Sequence, residues 1–500
     1  MNQDMTIRVR AAALAAMFTT VAVVAACNGG DAKGGAGSAP AGEKGDAPAA
    51  TGAASTSDAQ PLYDAMHHLS MVMVYDIFSP PQASRTYAYA SIASYEAMRP
   101  SDTTYKSLAG QLTGLTPVPA PPAGAALDYP LAGVHAFMTV SQALTFSRAR
   151  MDSLRAVMDK QYEARVAADV YRASIAYGDT VAKHILAWAG GDRFKESRGW
   201  TKYSVTKARG RWVPTPPGYM DAVEPHWGEL RPFVLDTGSQ FKPLPPLPFD
   251  SAKGSPFMKE AMEVYEIKAK LTDDQKEILA FWDCNPYVMN VQGHTMFATK
   301  KITPGGHWMG IVGAASRKAG ADPLRAADAY ARTAIGLADA FISSWDEKFR
   351  SNLIRPETYI NRYVDEQWTP MLQTPPFPEY TSGHSVASGS AGEVLTDVYG
   401  DNFAFTDSTE MEFGLPMRSF ASFREAAAEA AISRLYGGIH YRRAIEQGLV
   451  QGQKVGKFIV GKVRTRTATS VAAVSTTPAT PATPATPAST AGVATPAAHP

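Results

Sequence analysis

From about residue 60 to 464 the apolar side chains of this chain recur at three- and four-residue intervals, segment after segment, and no run of strand length alternates apolar with polar. That period gathers each segment's apolar residues on one helical face, which must be buried against another face. The spacing predicts helices over 63–77, 82–98, 131–163, 166–190, 258–269, 272–283, 322–350, 383–399, 421–436 and 441–461. Pro80 and Pro81 separate the first pair, and Gly190-Gly191 ends the fourth segment. Residues 205–257, rich in proline, glycine and aromatics, read as a long ordered excursion across the surface. The expected fold is all-α, one large helical bundle or two fused ones.

Both ends depart from this pattern. Arg8 and Arg10 precede an apolar run over 11–26, too short for a comfortable membrane-spanning helix. The run closes in Val24-Ala25-Ala26-Cys27, which resembles a bacterial lipoprotein signal. That resemblance implies a signal peptide over 1–26 and a lipid on Cys27, with Asn28 in place of aspartate leaning towards the outer membrane. The domain is then expected in the cell envelope, in the periplasm or at the cell surface, touching the membrane only through its lipid. Residues 27–58 are small and polar, a flexible tether; 466–500 repeat Pro-Ala-Thr, an extended tail. The folded domain spans 59–465.

The chain has two cysteines, so with Cys27 lipidated Cys284 stands alone and no disulfide framework exists. Cys284, in Phe281-Trp282-Asp283-Cys284, reads as a small buried hydrophobe. A net charge of +1 gives no general field for nucleic acid, though it leaves room for a local anion site.

Three short segments carry that local charge: Lys348 with Arg355-Pro356, Ser382-Gly383-His384, and Ser433-Arg434 with His440. Lys348 and Arg355 are seven apart, close to two helical turns, and are expected to share a face, with the last turn before Pro356 liable to unwind. Arginine offers an oxyanion a fork and lysine a point charge. Ser382-Gly383 opens a small-residue helix after the loop Pro375-Pro376-Phe377-Pro378; free N–H groups there suit an anion. Gly437-Gly438 breaks one helix from the next, so that Arg434 and His440 can converge. Singly, each segment also reads as a solvated face, an ordinary helix cap or a structural turn. Together they specify cations, a hydroxyl, a backbone amide and two histidines in one order.

In that order they resemble the superfamily of type-2 phosphatidic acid phosphatases and vanadium-dependent haloperoxidases, most strongly over 280–450. The resemblance implies a vanadate cofactor, whose place phosphate can take. His440 is then the metal ligand, Lys348, Arg355, Ser382, Gly383 and Arg434 hold the oxyanion, and His384 is the acid–base group. Tyr287, Trp345, Phe377 and the element Pro304-Gly305-Gly306-His307-Trp308 look like the bacterial iodo- and bromoperoxidase branch, with the three aromatics as a halide pocket. Hydrogen peroxide and halide are the implied partners, and a homo-oligomer is left open.

One position departs from the family. Many members carry an acid four residues after the last histidine, where this chain has Ala444. A backbone carbonyl is then expected to orient the ring, with Glu425 or Glu429 pairing with a site arginine. Two other readings stand beside the haloperoxidase. One is an exported acid phosphatase in which His440 forms a phosphohistidine; the other is a lipoprotein that binds an oxyanion without turnover.

Overall fold

The computed structural model describes residues 58–467. The signal peptide, Cys27, nearly all of the tether and the tail beyond 467 lie outside the described residues. Among the described residues there are fourteen α-helices: α1 (Gln60–Asp76), α2 (Pro80–Met98), α3 (Tyr129–Leu144), α4 (Arg148–Glu163), α5 (Ala168–Ala189), α6 (Phe194–Ser197), α7 (Pro256–Ile267), α8 (Asp273–Phe281), α9 (Pro304–Lys318), α10 (Pro323–Ser351), α11 (Pro356–Tyr363), α12 (Gly383–Tyr399), α13 (Phe423–Tyr436) and α14 (Arg442–Lys462).

Several ends follow from local chemistry. Pro80 and Pro81 begin α2, with the Ser79 hydroxyl accepting the Gln82 N–H at 3.4 Å; proline's missing N–H costs nothing in a first turn. Asp322 caps α10 in the same way, through the Arg325 N–H at 2.8 Å. The segment expected as one helix over 131–163 is two. Thr145 is extended, and the Asp76 carboxylate at the end of α1 accepts the N–H groups of Phe146 and Ser147, both at 3.0 Å. A carboxylate 70 residues away thus stabilises the break and starts α4.

α10 is buried along almost its whole length, packed on α2 on one side and on α12 on the other. One core cluster therefore runs from α1 through α10 to α14, and the two helical groups are fused. A second, smaller cluster forms around Phe257, Tyr359, Leu435 and Tyr441. α12 and α14 approach so closely that a Cβ at Gly389 would stand 2.7 Å from the Leu449 carbonyl oxygen, and one at Gly456 2.7 Å from that of Ser390. Only glycine permits that approach.

The 205–257 excursion is ordered, as expected, and is anchored on α10. The buried Asp339 carboxylate accepts the N–H groups of Phe233, Val234 and Leu235 at 2.7–2.9 Å. Two small hairpins were not anticipated. β1 (Val288–Gln292) pairs with β2 (Thr295–Thr299), and β3 (Phe405–Asp407) with β4 (Arg418–Phe420), both antiparallel. The first leaves Val291, Met296 and Phe297 exposed, so it has no buried face to impose a period of two. No helix among the described residues is long and apolar enough to cross a membrane.

Candidate active site

Four chain breaks meet beside α10: its own C-terminus, the start of α12, the α13–α14 turn and the loop after α8. Lys348 lies in the last turn of α10, fully buried, and its ammonium donates to the carbonyls of Pro378 and Glu379, both at 3.1 Å, and of Thr381. It therefore organises the loop that leads into α12. Burial, reinforced by the charge of Arg355, holds it well below the usual lysine value. Asn352 then closes α10 in the left-handed region at φ 48°. Arg355 consequently shares no helical face with Lys348; it is the residue before α11, and the turn rather than helical spacing brings the two cations together.

Arg355 is also fully buried. Its Nε donates to the Phe377 carbonyl at 2.9 Å, and Nη1 to that of Ile439 at 2.8 Å while standing 3.2 Å from His440 Nε2. Nη2 has no partner. Burial lowers this guanidinium to about 10.

His440 owes its orientation to a residue that sequence reasoning missed. Glu379 Oε1 lies 2.8 Å from His440 Nδ1 and also accepts the Tyr441 N–H at 3.0 Å. An oxygen already taking one N–H takes the ring proton too, whether or not Oε2 is protonated. Nδ1 therefore carries the hydrogen and Nε2 keeps its lone pair. Burial, then the charges of Arg355 and Lys348, hold His440 well below the usual histidine value, so the ring is neutral. Burial raises Glu379 to about 8 against the pull of the same two cations. The signal for Glu379 was a lone carboxylate in the apolar loop three residues before Ser382. Ala444 has a different task, its carbonyl accepting the Ser382 N–H at 3.1 Å and tying α14 to the start of α12.

Ser382 caps α12, its hydroxyl accepting the Ser385 N–H at 3.3 Å and the Ser385 hydroxyl at 2.8 Å. A Cβ on Gly383 would lie 3.2 Å from the Trp345 ring. His384 is buried with Nε2 unpartnered, and burial, then the Arg434 charge, keep it neutral. Arg434, in the last turn of α13, donates from Nε to Ser433 Oγ at 3.0 Å and from Nη2 to the Trp282 carbonyl. Glu425 and Glu429, expected near a site arginine, bond elsewhere. Glu425 accepts the Ala421 N–H; Glu429 binds Arg418 and the Trp282 Nε1–H.

Gly383, His384, Arg434 and His440 line a cavity whose other walls include Tyr287, Trp345 and Phe377. All three aromatics expected as a halide pocket thus face one space. The Trp345 and Phe377 rings are 4.9 Å apart, and Lys348 Nζ and the Arg355 guanidinium carbon each lie 5.1 Å from the Phe377 centroid. Lys348, Arg355 and Ser382 stand fully buried behind this lining. Lys348 and Arg355 share the buried Glu379, with Glu347 and Glu357 nearby, and Arg434 has Asp283 as its counter-charge. Buried cations gathered at one wall of a cavity favour an anion there.

A helical bundle built around a buried, cation-lined pocket with a neutral histidine at its edge defines a class, and the comparisons place the chain within it. This chain belongs to the vanadium-dependent haloperoxidases. It is similar, at 50% identity, to a structure described as the first bacterial vanadium-dependent iodoperoxidase, with a TM-score of 0.78, covering 81% of this chain and 97% of that one. A holo-type bacterial vanadium-dependent chloroperoxidase, 16% identical, shares the fold at a TM-score of 0.61 over 77% of this chain and 93% of its own. The apo-type chloroperoxidase gives 0.58 at 16% identity over 75% and 93%. A family model, the VCPO second helical-bundle domain, matches residues 328–469. No curated protein matches the chain.

Proposed function

We propose that this chain oxidises halide with hydrogen peroxide, iodide or bromide in preference to chloride, using vanadate held at His440, and releases hypohalous acid. The observation that carries the proposal is the neutral His440 imidazole, its Nδ1–H held by Glu379 and its Nε2 lone pair turned towards Arg355. The site fits vanadate. The unpartnered buried atoms Arg355 Nη2 and His384 Nε2 are suited to an oxyanion bound through one ring nitrogen. When bound, vanadate supplies a Lewis-acidic metal that activates peroxide towards halide without a change in its oxidation state.

Arg355 and Arg434 neutralise the oxyanion, Ser382 and the Gly383 N–H complete its cradle, and Lys348 keeps the loop before α12 in place with its charge behind the site. His384 holds or takes the proton that moves as peroxide enters. Trp345, Phe377 and Tyr287 exclude water and offer a polarisable halide an aromatic wall. Support for iodide comes from the 50% identical iodoperoxidase. No observation favours the phosphatase reading.

Protein lacking residues 1–58 is assayed for oxidation of iodide, bromide and chloride, with and without orthovanadate, beside a phosphomonoester control. Vanadate-dependent halide oxidation that phosphate suppresses is expected. Phosphate release inhibited by vanadate, without halide oxidation, sinks the reading. We also propose that Cys27 is lipidated and anchors the domain in the cell envelope, on the strength of the run over 11–26 and Val24-Ala25-Ala26-Cys27. Incorporation of labelled fatty acid into the full chain, lost in Cys27→Ser, is the expected result; equal labelling of the two removes the anchor.

A further inference from the structure

A second cluster of ligating side chains lies beside the oxyanion site. Cys284 follows α8, His307 sits in the first turn of α9, and Glu410 lies just past β3; all three are buried, His307 and Glu410 completely. Cys284 Sγ is 3.4 Å from His307 Nδ1, and Glu410 Oε1 is 3.1 Å from the same nitrogen. One ligand atom from each residue falls within 4.8 Å of the other two. On the far side of the ring, Asp407 Oδ2 is 2.7 Å from His307 Nε2, while Asp407 Oδ1 takes the Thr409 N–H at 2.9 Å.

Glu410 is the anomaly. Neither of its oxygens accepts a hydrogen bond, the approach of His307 included, although the side chain is wholly removed from water. The His307 ring, 3.1 Å away and outside hydrogen-bond geometry, offsets this buried carboxylate only in part; a metal ion bonded to it would do so fully.

We infer that Cys284, His307 and Glu410 bind a divalent metal ion of the zinc class. Sulfur, nitrogen and oxygen ligands at tetrahedral zinc stand about 3.3–3.6 Å from one another, given bond lengths of about 2.0–2.3 Å. The separations at His307 Nδ1, 3.4 and 3.1 Å, are already close to that geometry. Asp407 supplies the outer contact that a metal-bound histidine needs: it accepts Nε2–H and leaves Nδ1 free to ligate. One thiolate, one imidazole and one carboxylate select zinc, or a neighbouring transition metal, over magnesium or calcium, and leave a fourth position for water. Binding releases two protons, one from the Cys284 thiol and one from His307 Nδ1, so the charge of the cluster is unchanged.

The ion joins the end of α8, the start of α9 and the segment after β3. The His307 ring stacks on Trp282 at 4.4 Å and 19°, and the Trp282 carbonyl accepts from Arg434. Cys284 also lines the cavity. The metal is therefore a positioning element behind Arg434.

The test uses the untagged full chain, stripped with chelator and titrated with cobalt(II), and is independent of vanadate and of halide oxidation. One equivalent and a thiolate-to-cobalt charge-transfer band, removed by added zinc, are expected. In Cys27→Ser the chain has a single cysteine, so the band that persists there belongs to Cys284. Cys284→Ser abolishes it, and Asp407→Asn weakens cobalt binding by about 10–100-fold. Absence of the band from Cys27→Ser overturns the proposal, leaving His307 as an imidazolium held between Asp407 and Glu410.

Discussion

Glu379 Oε1 stands 2.8 Å from His440 Nδ1, across 61 residues of chain, and the same oxygen accepts the N–H of Tyr441. The contact sets the tautomer of the ring without the acid that many relatives carry four residues after this histidine. Replacement Glu379→Gln keeps the size of the side chain and one acceptor oxygen but permits the amide to flip and turn its N–H groups towards the ring. Vanadate affinity is expected to fall about 10–100-fold, the usual cost of losing an outer carboxylate. Titration of the vanadate-free protein measures it, and an unchanged affinity assigns the orientation to another group.

Arg355→Lys tests the fork. Arg355 reaches two carbonyls and His440 with one nitrogen still unpartnered; an ammonium cannot reproduce those directions. Losing one charged hydrogen bond of about 1.5–3 kcal/mol weakens vanadate binding roughly 10–150-fold. A vanadate titration reads this directly, and equal affinities would mean that charge alone matters.

His384 makes an acid-stability prediction. Its folded value lies well below the usual 6.5 because burial and Arg434 oppose its charge. As pH falls below 6.5 the unfolded chain takes a proton that the folded site refuses. The contribution of neutral His384 is thus present above 6.5 and lost on acidification. His384→Gln does not titrate, so without vanadate its melting temperature is expected to drop less than that of the parent between pH 7 and pH 5. Parallel curves from scanning fluorimetry contradict this.

Gly438 holds the turn that aims His440. Its φ is +73°, and a Cβ there would lie 3.1 Å from Trp368 and 3.2 Å from Pro370. Gly438→Ala is expected to cost about 1–3 kcal/mol in urea unfolding and to lower vanadate affinity with it. Loss of stability with full affinity would separate the turn from the site.

The helices that carry the site were legible in the chain itself. α12 was read residue for residue, and α10 and α14 to within a residue or two, because caps, prolines and a helical period are local signals. α9 was missed: it opens on Pro304-Gly305-Gly306, and small residues at a helix start imitate a loop. The first hairpin was missed because neither β1 nor β2 buries a face; the second buries Phe405 and Phe420, but its strands are three residues each, too short to display a period of two.

The sequence by itself determined the all-α class, the set of cations and histidines and their order, since these depend on residue type and short spacing. Only the tertiary structure decided how they meet. The turn at Asn352 replaced the shared helical face expected for Lys348 and Arg355. The Glu379 carboxyl, not the backbone carbonyl expected, orients His440, and Glu425 and Glu429 went to other partners. Asp76 divided α3 from α4. Each of these is a bond between groups distant in sequence, whose strength depends on burial and direction that no local pattern records.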